Sequence, residues 1–569
     1  MTPPETPLSR REWTWLAALV ALAAALRAFT LGARSLWQDE VLQVSFYRTS
    51  DSLLALAENA AIQSQPPLDY VIGYLLHGAF GFSEWLVRFP AFLFGTLLLI
   101  PLYLLTRRAF SVDVALITTA MAALSPWLVR LSQEARPYSL LFFLLYLSLY
   151  RWLVALERHR RRDWVILGIC VLLMLNSRGF VPLVAVLVMG LVGIWASLLD
   201  RDRPAWNGIG RVKAMVVTGA AAGLLFLPQL YLLFVGTQSH SYIGVGTSVT
   251  EFLAGVFYTR LHYYNVTEPF VYPFMALFTG GVGIALFAPL ADWRTRALTL
   301  VAVVMPTVQI LVYHGAVDVT RAPFANKYLI YWLPLLFAVS AHALVTLAGR
   351  ITRRPGWRRG LIALTCAPFL LGFAYQTGLY YFEEKDDWRG VAAYVATHAG
   401  PDDVIWVETP APYERYGGYQ ARFEGKPVYT PAIPDLTTDE LAALLKAEPE
   451  RPGNLFFVQY GGSRQAQGER DGFRMPYFHR LLVVHTPEPS ERLRDNVADL
   501  LKVVTPLYPE DSSRVRPLLM AARLAELEGD PGRATALLEQ AAERVPEGYR
   551  ERWRAHRDSV FPADPSIPD

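Results

Sequence analysis

The chain has 569 residues, 53% of them hydrophobic and only 18% charged, with a formal net charge of +3. A mean hydropathy of +0.26 with so few charges excludes an ordinary soluble globular protein. The small net charge and the lack of a basic arm give no footing for nucleic acid.

Apolar runs recur from residue 12 to about residue 380. The first, near 13–31, follows Arg10 and Arg11 with no convincing small-residue cleavage site, so it reads as a retained span. Others lie near 84–106, 111–129, 137–155, 163–178, 180–199, 213–234, 270–290, 297–313, 324–346 and 359–379. That makes about eleven, against the roughly 20 residues a spanning helix needs. Cys170 and Cys366 both fall inside these runs, so neither a disulfide framework nor a cysteine metal site is expected.

Six basic clusters punctuate the runs: Arg10/Arg11, Arg107/Arg108, Arg158 to Arg162, Arg201 to Lys213, Arg294/Arg296 and Arg350 to Arg359. They fall at alternate loops, so all can face the cytoplasm together. This requires that 68–80 does not cross. It is short for a span, and Asp69, Tyr70, Tyr74 and His77 suit a helix lying at the interface. Residues 32–83 then form a large first external loop with interfacial helices. The N-terminus is cytoplasmic, while the C-terminal domain is periplasmic or extracellular.

The expected fold is mainly α, a polytopic transmembrane domain over 1–380. An external α/β domain follows over 381–510, with β-like runs at 404–407, 455–459 and 481–485. Residues 511–569 read as a tetratricopeptide-like helical hairpin and a disordered tail, 562–569. One such unit is too few for an array.

Chemistry is expected first at Ser35-Leu36-Trp37-Gln38-Asp39-Glu40, just past the first run. Two adjacent carboxylates there can cap a helix, or can serve as a general base with one pKa raised by its neighbour. Glu134 and Arg136 stand close to the hydrocarbon, where charges are costly unless they pair or bind something. Arg130, Arg136, Arg178, Arg321 and Lys327 give the external face more cations than the positive-inside trend predicts. They can snorkel to headgroups, or dock an anionic group, for which a phosphate fits an arginine fork best. His77, His240, His262 and His314 have no metal-ligand spacing. Asn265-Val266-Thr267 has the N-glycosylation pattern, which is too common to carry weight.

Five stretches in order resemble one family. Leu31-Gly32 with Ser35 to Glu40 resembles the first-loop signature of the GT-C membrane glycosyltransferases of the family-39 / protein-mannosyltransferase and aminoarabinose-transferase type. Pro66-Pro67-Leu68-Asp69-Tyr70, Gly81, Ser83-Glu84-Trp85 and Arg88-Phe89-Pro90 are similar to its next segment. Ser125-Pro126 and Ser132-Gln133-Glu134-Ala135-Arg136-Pro137-Tyr138 resemble its SQEARxY loop. Lys327-Tyr328-Leu329 with Pro334, and Asp386-Asp387-Trp388-Arg389-Gly390 with Ala392 and Ala393, complete the set.

The resemblance implies inverting transfer of a sugar, hexosyl or pentosyl, from a polyprenyl-phosphate donor at the external face of the cytoplasmic membrane. It makes Asp39 the catalytic base, with Glu40 supporting it or contacting the acceptor. Glu134, Arg136 and Tyr138 line the same cavity, and Lys327 and Arg321 hold the donor phosphate. Gln65, Arg88 and Tyr328 join the donor-binding set. Gln65 stands where the family often has histidine, and Lys327 where it has arginine. Asn176-Ser177-Arg178-Gly179 replaces an aromatic-rich turn, which makes Arg178 a substitute phosphate contact. A divalent cation such as Mg or Mn at Asp39-Glu40 stays open. The implied partners are the lipid-linked sugar, membrane lipids, an unknown protein, lipid or glycan acceptor, and a protein partner for the C-terminal domain. The other readings of the same residues are a non-catalytic protein that binds or transports lipid-linked glycan, and an envelope scaffold.

Overall fold

The computed structural model describes residues 7–62, 65–199, 207–238, 271–288, 292–316, 326–382, 387–400, 402–407, 435–436, 438–460, 467–478, 481–487, 491–504 and 515–543. The chain forms two compact units. The first joins Met1–Ala33 to Phe46–Glu383, and the second joins Arg34–Ser45 to Glu384–Asp569.

The first unit is helical. Its elements are α1 (Arg10–Ala28), the end of α2 (Gln38–Thr49), α3 (Leu53–Ile62), α4 (Leu68–Phe80), α5 (Glu84–Leu97), α6 (Leu99–Ala109), α7 (Val112–Leu124) and α8 (Pro126–Leu131). Next come α9 (Tyr138–Arg158), α10 (Arg161–Leu175), α11 (Val181–Leu199), α12 (Gly208–Gln238), α13 (Val271–Phe287) and α14 (Trp293–Ala316). A 3-10 helix (Asn326–Trp332), α15 (Leu333–Ile351) and α16 (Pro355–Tyr381) complete it.

Among the described residues, 7 helical stretches are long and apolar enough to cross a membrane. The other four apolar runs are helices as well, but fall short for physical reasons. α1 carries Arg11, Glu12 and Arg27 near its ends, and α7, α10 and α13 have only 13, 15 and 17 residues. The stretch Glu84–Ala109 is interrupted at Leu98. Pro101 lacks the N–H that would bond the Leu97 carbonyl one turn earlier.

The core is centred on α9, which is buried along most of its length. Its Tyr146 hydroxyl donates to the Tyr331 carbonyl at 2.9 Å and accepts from the Leu335 amide at 3.1 Å. Trp332 Nε1 donates to the Ala302 carbonyl at 2.5 Å, which ties the 3-10 helix to α14.

Charge sorts the two ends of this unit. At one end Arg107 meets Glu12 at 2.5 Å, and Arg108 Nε donates to Glu157 Oε2 at 2.8 Å. Arg294 pairs with the same Glu157, Arg151 bonds Asp163 at 3.1 Å, and Arg211 Nε donates to the Leu156 carbonyl at 2.6 Å. At the other end lie the C-termini of α1, α7 and α10. There the Leu68 amide donates to the Asn176 carbonyl at 3.0 Å, and Arg88 Nη1 to the Leu31 carbonyl at 2.9 Å. Helix α4 therefore starts at this end, and α5, which follows it after the left-handed Gly81 (φ 77°) and the N-cap Ser83, starts there too. Both ends of α4 lie on one side.

The second unit is built on a five-stranded sheet of order β2-β1-β3-β7-β6. Its strands are β1 (Val404–Val407), β2 (Asp435–Leu436), β3 (Leu455–Tyr460), β6 (Tyr477–Phe478) and β7 (Leu481–Val484), with β4 (Gly468–Arg470) and β5 (Phe473–Met475) as a separate pair. β1 runs parallel to β2 and β3, and β7 antiparallel to β3 and β6. Phe456 and Phe457 point to opposite faces of β3 and both are buried, as a central strand covered on both sides requires. The runs near 404, 455 and 481 are thus strands. Helices α17 (Trp388–His398), α18 (Thr438–Ala447) and α19 (Leu493–Val504) belong to this unit, as do α20 (Val515–Leu527) and α21 (Pro531–Glu543), whose connecting Gly529 has φ 74°.

Candidate active site

Within the helical unit, the stretch 131–138 is the connection from α8 to α9, and the end of α1 holds it. Arg27 is fully buried in the last turn of α1. Its guanidinium donates to the Ala122 and Ala123 carbonyls at 3.2 and 3.1 Å, to Ala23 at 3.3 Å and to Ser132 Oγ at 3.1 Å. The described contacts include no carboxylate. Instead the charge sits against the C-terminus of α7 and the last turn of its own helix, each worth roughly half a negative charge. The Ala122 and Ala123 carbonyls are among the four that a helix end leaves without internal donors. Gln133 Nε2 then closes α1 itself, reaching the Arg27 and Phe29 carbonyls at 2.9 and 2.5 Å. Gly95 of α5 faces Ser132 so closely that a methyl group there would overlap it.

On this scaffold Glu134 pairs with Arg130 at 2.9 Å, and its carbonyl accepts from the Arg136 amide at 2.7 Å. Tyr138 opens α9, and the Arg178 guanidinium carbon lies 3.7 Å from the centre of its ring. Arg178 comes from the turn after α10, where Ser177 Oγ donates to the Met174 carbonyl at 2.7 Å. Glu134, Arg136, Tyr138 and Arg178 therefore gather at one end of the helical unit, with Arg88 at the start of α5 and the half-buried Gln65 just before α4. Lys327 and Tyr328 lie in the 3-10 helix, while Arg321 falls outside the described residues.

The first-loop signature belongs to the second unit. Trp37 precedes α2, and its amide donates to Glu40 Oε2 at 3.1 Å, the backward half of a capping box. Glu40 is fully buried. Asp39 is the second residue of α2. Ser35 Oγ donates to Asp387 Oδ1 at 3.1 Å and accepts from the Arg389 amide at 3.2 Å. Asp387 in turn caps α17 through the Gly390 amide at 3.0 Å. Two stretches whose bonded residues lie 352 positions apart thus meet through a serine and an aspartate to which no role attached from sequence alone. Nor did the sequence reading single out Arg27. The signal was there, because an arginine inside an apolar run needs a reason. Among the described residues, no group of three or more His, Cys, Asp or Glu side chains could hold a metal ion.

Residues 64–232 match the model of the dolichyl-phosphate-mannose-protein mannosyltransferase family. No curated protein matches. Among solved structures, apo ArnT from Cupriavidus metallidurans is similar with a TM-score of 0.50 at 15% identity, over 83% of this chain and 98% of that one. The same protein bound to undecaprenyl phosphate gives 0.48 at 15% identity, over 83% and 98%. The oligosaccharyltransferase AglB from Archaeoglobus fulgidus gives 0.49 at 12%, over 98% and 87%. The chain is a multi-pass integral membrane protein with the GT-C glycosyltransferase fold, and its residues 64–232 carry the signature of the dolichyl-phosphate-mannose-protein mannosyltransferase family.

Proposed function

We propose that this protein transfers a sugar, with inversion, from a polyprenyl-phosphate donor to an acceptor at the external face of the cytoplasmic membrane, through about eleven spans. In the reaction an acceptor oxygen attacks the anomeric carbon. The bond from that carbon to the phosphate oxygen breaks, the lipid phosphate leaves with the electron pair, and Asp39 takes the acceptor proton. One carboxylate suffices, because direct displacement needs no enzyme nucleophile. Cations that stabilise the charge growing on the phosphate supply much of the rate. Arg178, Lys327 and Arg321 are the groups assigned to that task, with Glu134, Arg136, Tyr138, Tyr328, Gln65 and Arg88 around the donor.

The single observation that carries the reading is the first-loop signature's own architecture. Asp39 lies on the first turn of a helix braced by Glu40 from within and fastened to the Asp387-Trp388-Arg389-Gly390 stretch through Ser35. A helix N-terminus favours the ionised carboxylate that a base requires. Asp39→Asn, assayed with purified protein and a lipid-linked sugar, should reduce transfer by ~100-fold or more. Unchanged transfer would remove Asp39 from the role, and a protein that binds the lipid but never transfers would favour the transport reading. Adding Mg or Mn to chelated enzyme decides whether a divalent cation takes part.

A further inference from the structure

The 3-10 helix Asn326–Trp332 runs straight into α15, and the way the two join is unusual. In a continuous α-helix the Leu335 amide donates to the Tyr331 carbonyl four residues earlier. Here the Tyr146 hydroxyl of α9 stands between them, accepting from the Leu335 amide at 3.1 Å and donating to the Tyr331 carbonyl at 2.9 Å. One residue earlier, Pro334 has no N–H to offer the Ile330 carbonyl. Two consecutive rungs of the α ladder are thus taken out, one by a side chain and one by a proline. A side chain inserted into the ladder is a recognised cause of such a break, and 3-10 stretches next to it often mark hinges.

At 7 residues the 3-10 helix is long, since runs beyond about four are uncommon. Its neighbours hold it. Tyr331 Oη donates to Gln309 Oε1, and Trp332 Nε1 to the Ala302 carbonyl at 2.5 Å, both on α14. Tyr146, Tyr331 and Gln309 are all buried, where an amide or carbonyl deprived of its partner is costly. The two helical forms differ in reach. An α-helix rises about 1.5 Å per residue with about 3.6 per turn, a 3-10 helix about 2.0 Å with about 3.0. Over the four positions from Lys327 to Tyr331 the difference is about 2 Å along the axis and about 80° around it.

We propose that Tyr146 is a positioning residue: by occupying the ladder between Tyr331 and Leu335 it keeps Asn326–Trp332 in the 3-10 form and so sets the position of Lys327. Without the hydroxyl, the Tyr331 carbonyl and the Leu335 amide pair with each other, α15 extends backwards and Lys327 moves. That Lys327 serves the donor phosphate rests on the proposed transfer function, while the wedge rests on the hydrogen bonds alone.

The test uses the full-length protein in detergent, with spin labels on Asn326→Cys and Phe80→Cys to measure the distance from the start of the 3-10 helix to the exposed end of α4. Cys170 and Cys366 are buried and escape the label. Tyr146→Phe should move that distance by about 2 Å or more. It should also reduce transfer from a lipid-linked sugar roughly 100-fold, the cost of misplacing a reacting group by about an ångström. Pro334→Ala returns the missing N–H without emptying the core, and should move the label in the same direction. In a Lys327→Ala background, Tyr146→Phe should change transfer less than about twofold, because a residue that acts through another adds nothing once that other is gone. An unmoved label in both variants would overturn the proposal. So would an equal loss of transfer from Tyr146→Phe with and without Lys327, the mark of a merely structural residue. If Lys327→Ala transfers normally while the label still moves, the wedge stands and the phosphate role of Lys327 falls.

Discussion

The two ends of the helical unit handle charge in opposite ways. At the basic end, carboxylates are shared between arginines: Glu157 takes Arg108 and Arg294, and Asp163 takes Arg151. At the other end, Arg27 rests on helix carbonyls and Arg178 stacks on the Tyr138 ring, whose hydroxyl has no hydrogen-bond partner among the described residues. Ion pairs between helix ends close a bundle. The difference teaches that one end is closed by ion pairs shared between helices, whereas the described contacts that hold the other, open end are helix carbonyls and an aromatic ring.

Removing a shared carboxylate should hit hardest. Glu157→Gln leaves Arg108 and Arg294 facing each other at a site where the glutamate side chain is only 8% exposed. Breaking a buried pair costs about 3–5 kcal/mol, because the stranded charge remains. Thermal denaturation in detergent should show a large loss, with transfer per folded molecule unchanged. A transfer defect without destabilisation would break the comparison, since it would place chemistry at the closed end.

Arg27→Leu comes next. It strips donors from the Ala122, Ala123 and Ser132 oxygens in one change. Each stranded acceptor costs roughly 1–3 kcal/mol, offset in part by no longer burying a charge, so the net loss should be about 2–3 kcal/mol. Transfer should fall as well, since Ser132 begins the turn that carries Glu134 and Arg136. A variant as stable as the parent would mean that the helix ends do not hold the arginine.

Gly95→Ala tests the same turn by volume alone. The added methyl would meet Ser132 Oγ and Cβ, and Ser139 Oγ lies 3.1 Å away. Overpacking of this kind costs about 1–3 kcal/mol. The turn has to shift to make room, so the donor KM should rise with the loss of stability. A neutral result would show that the turn can yield.

How much of this could be read beforehand follows from what sequence encodes locally. Apolar length gave the helices, and short β-like apolar runs between helical or loop stretches gave the strands near 404, 455 and 481. Alternating basic clusters correspond to the end where Glu12, Arg108, Glu157 and Arg294 meet. What the sequence withheld was pairing. That Ser35 would find Asp387, or that Arg27 would find the C-terminus of α7, depends on chain segments distant in sequence and leaves no periodic trace. Span counting from composition was limited differently. A helix such as α10 with 15 residues, or α1 with charges at both ends, is apolar in its middle but short of the roughly 20 residues a straight crossing needs.

The smallest effect expected is that of Arg130→Ala. The Arg130–Glu134 pair is a carboxylate–arginine bridge at the open end, and it resembles the closed end in form. It differs in setting, since the Arg130 side chain is 26% exposed and its pairing is screened, while Glu134 is 7% exposed. The pair joins residues four apart across the end of one short helix, so it fastens no second helix. Pairs of that kind contribute ~0.2–1 kcal/mol. Arg130→Ala should therefore shift the melting temperature barely at all, and Arg130→Lys less still. A loss of ~3 kcal/mol or more would show this bridge acting as Glu157 does, and the two ends would then share one design.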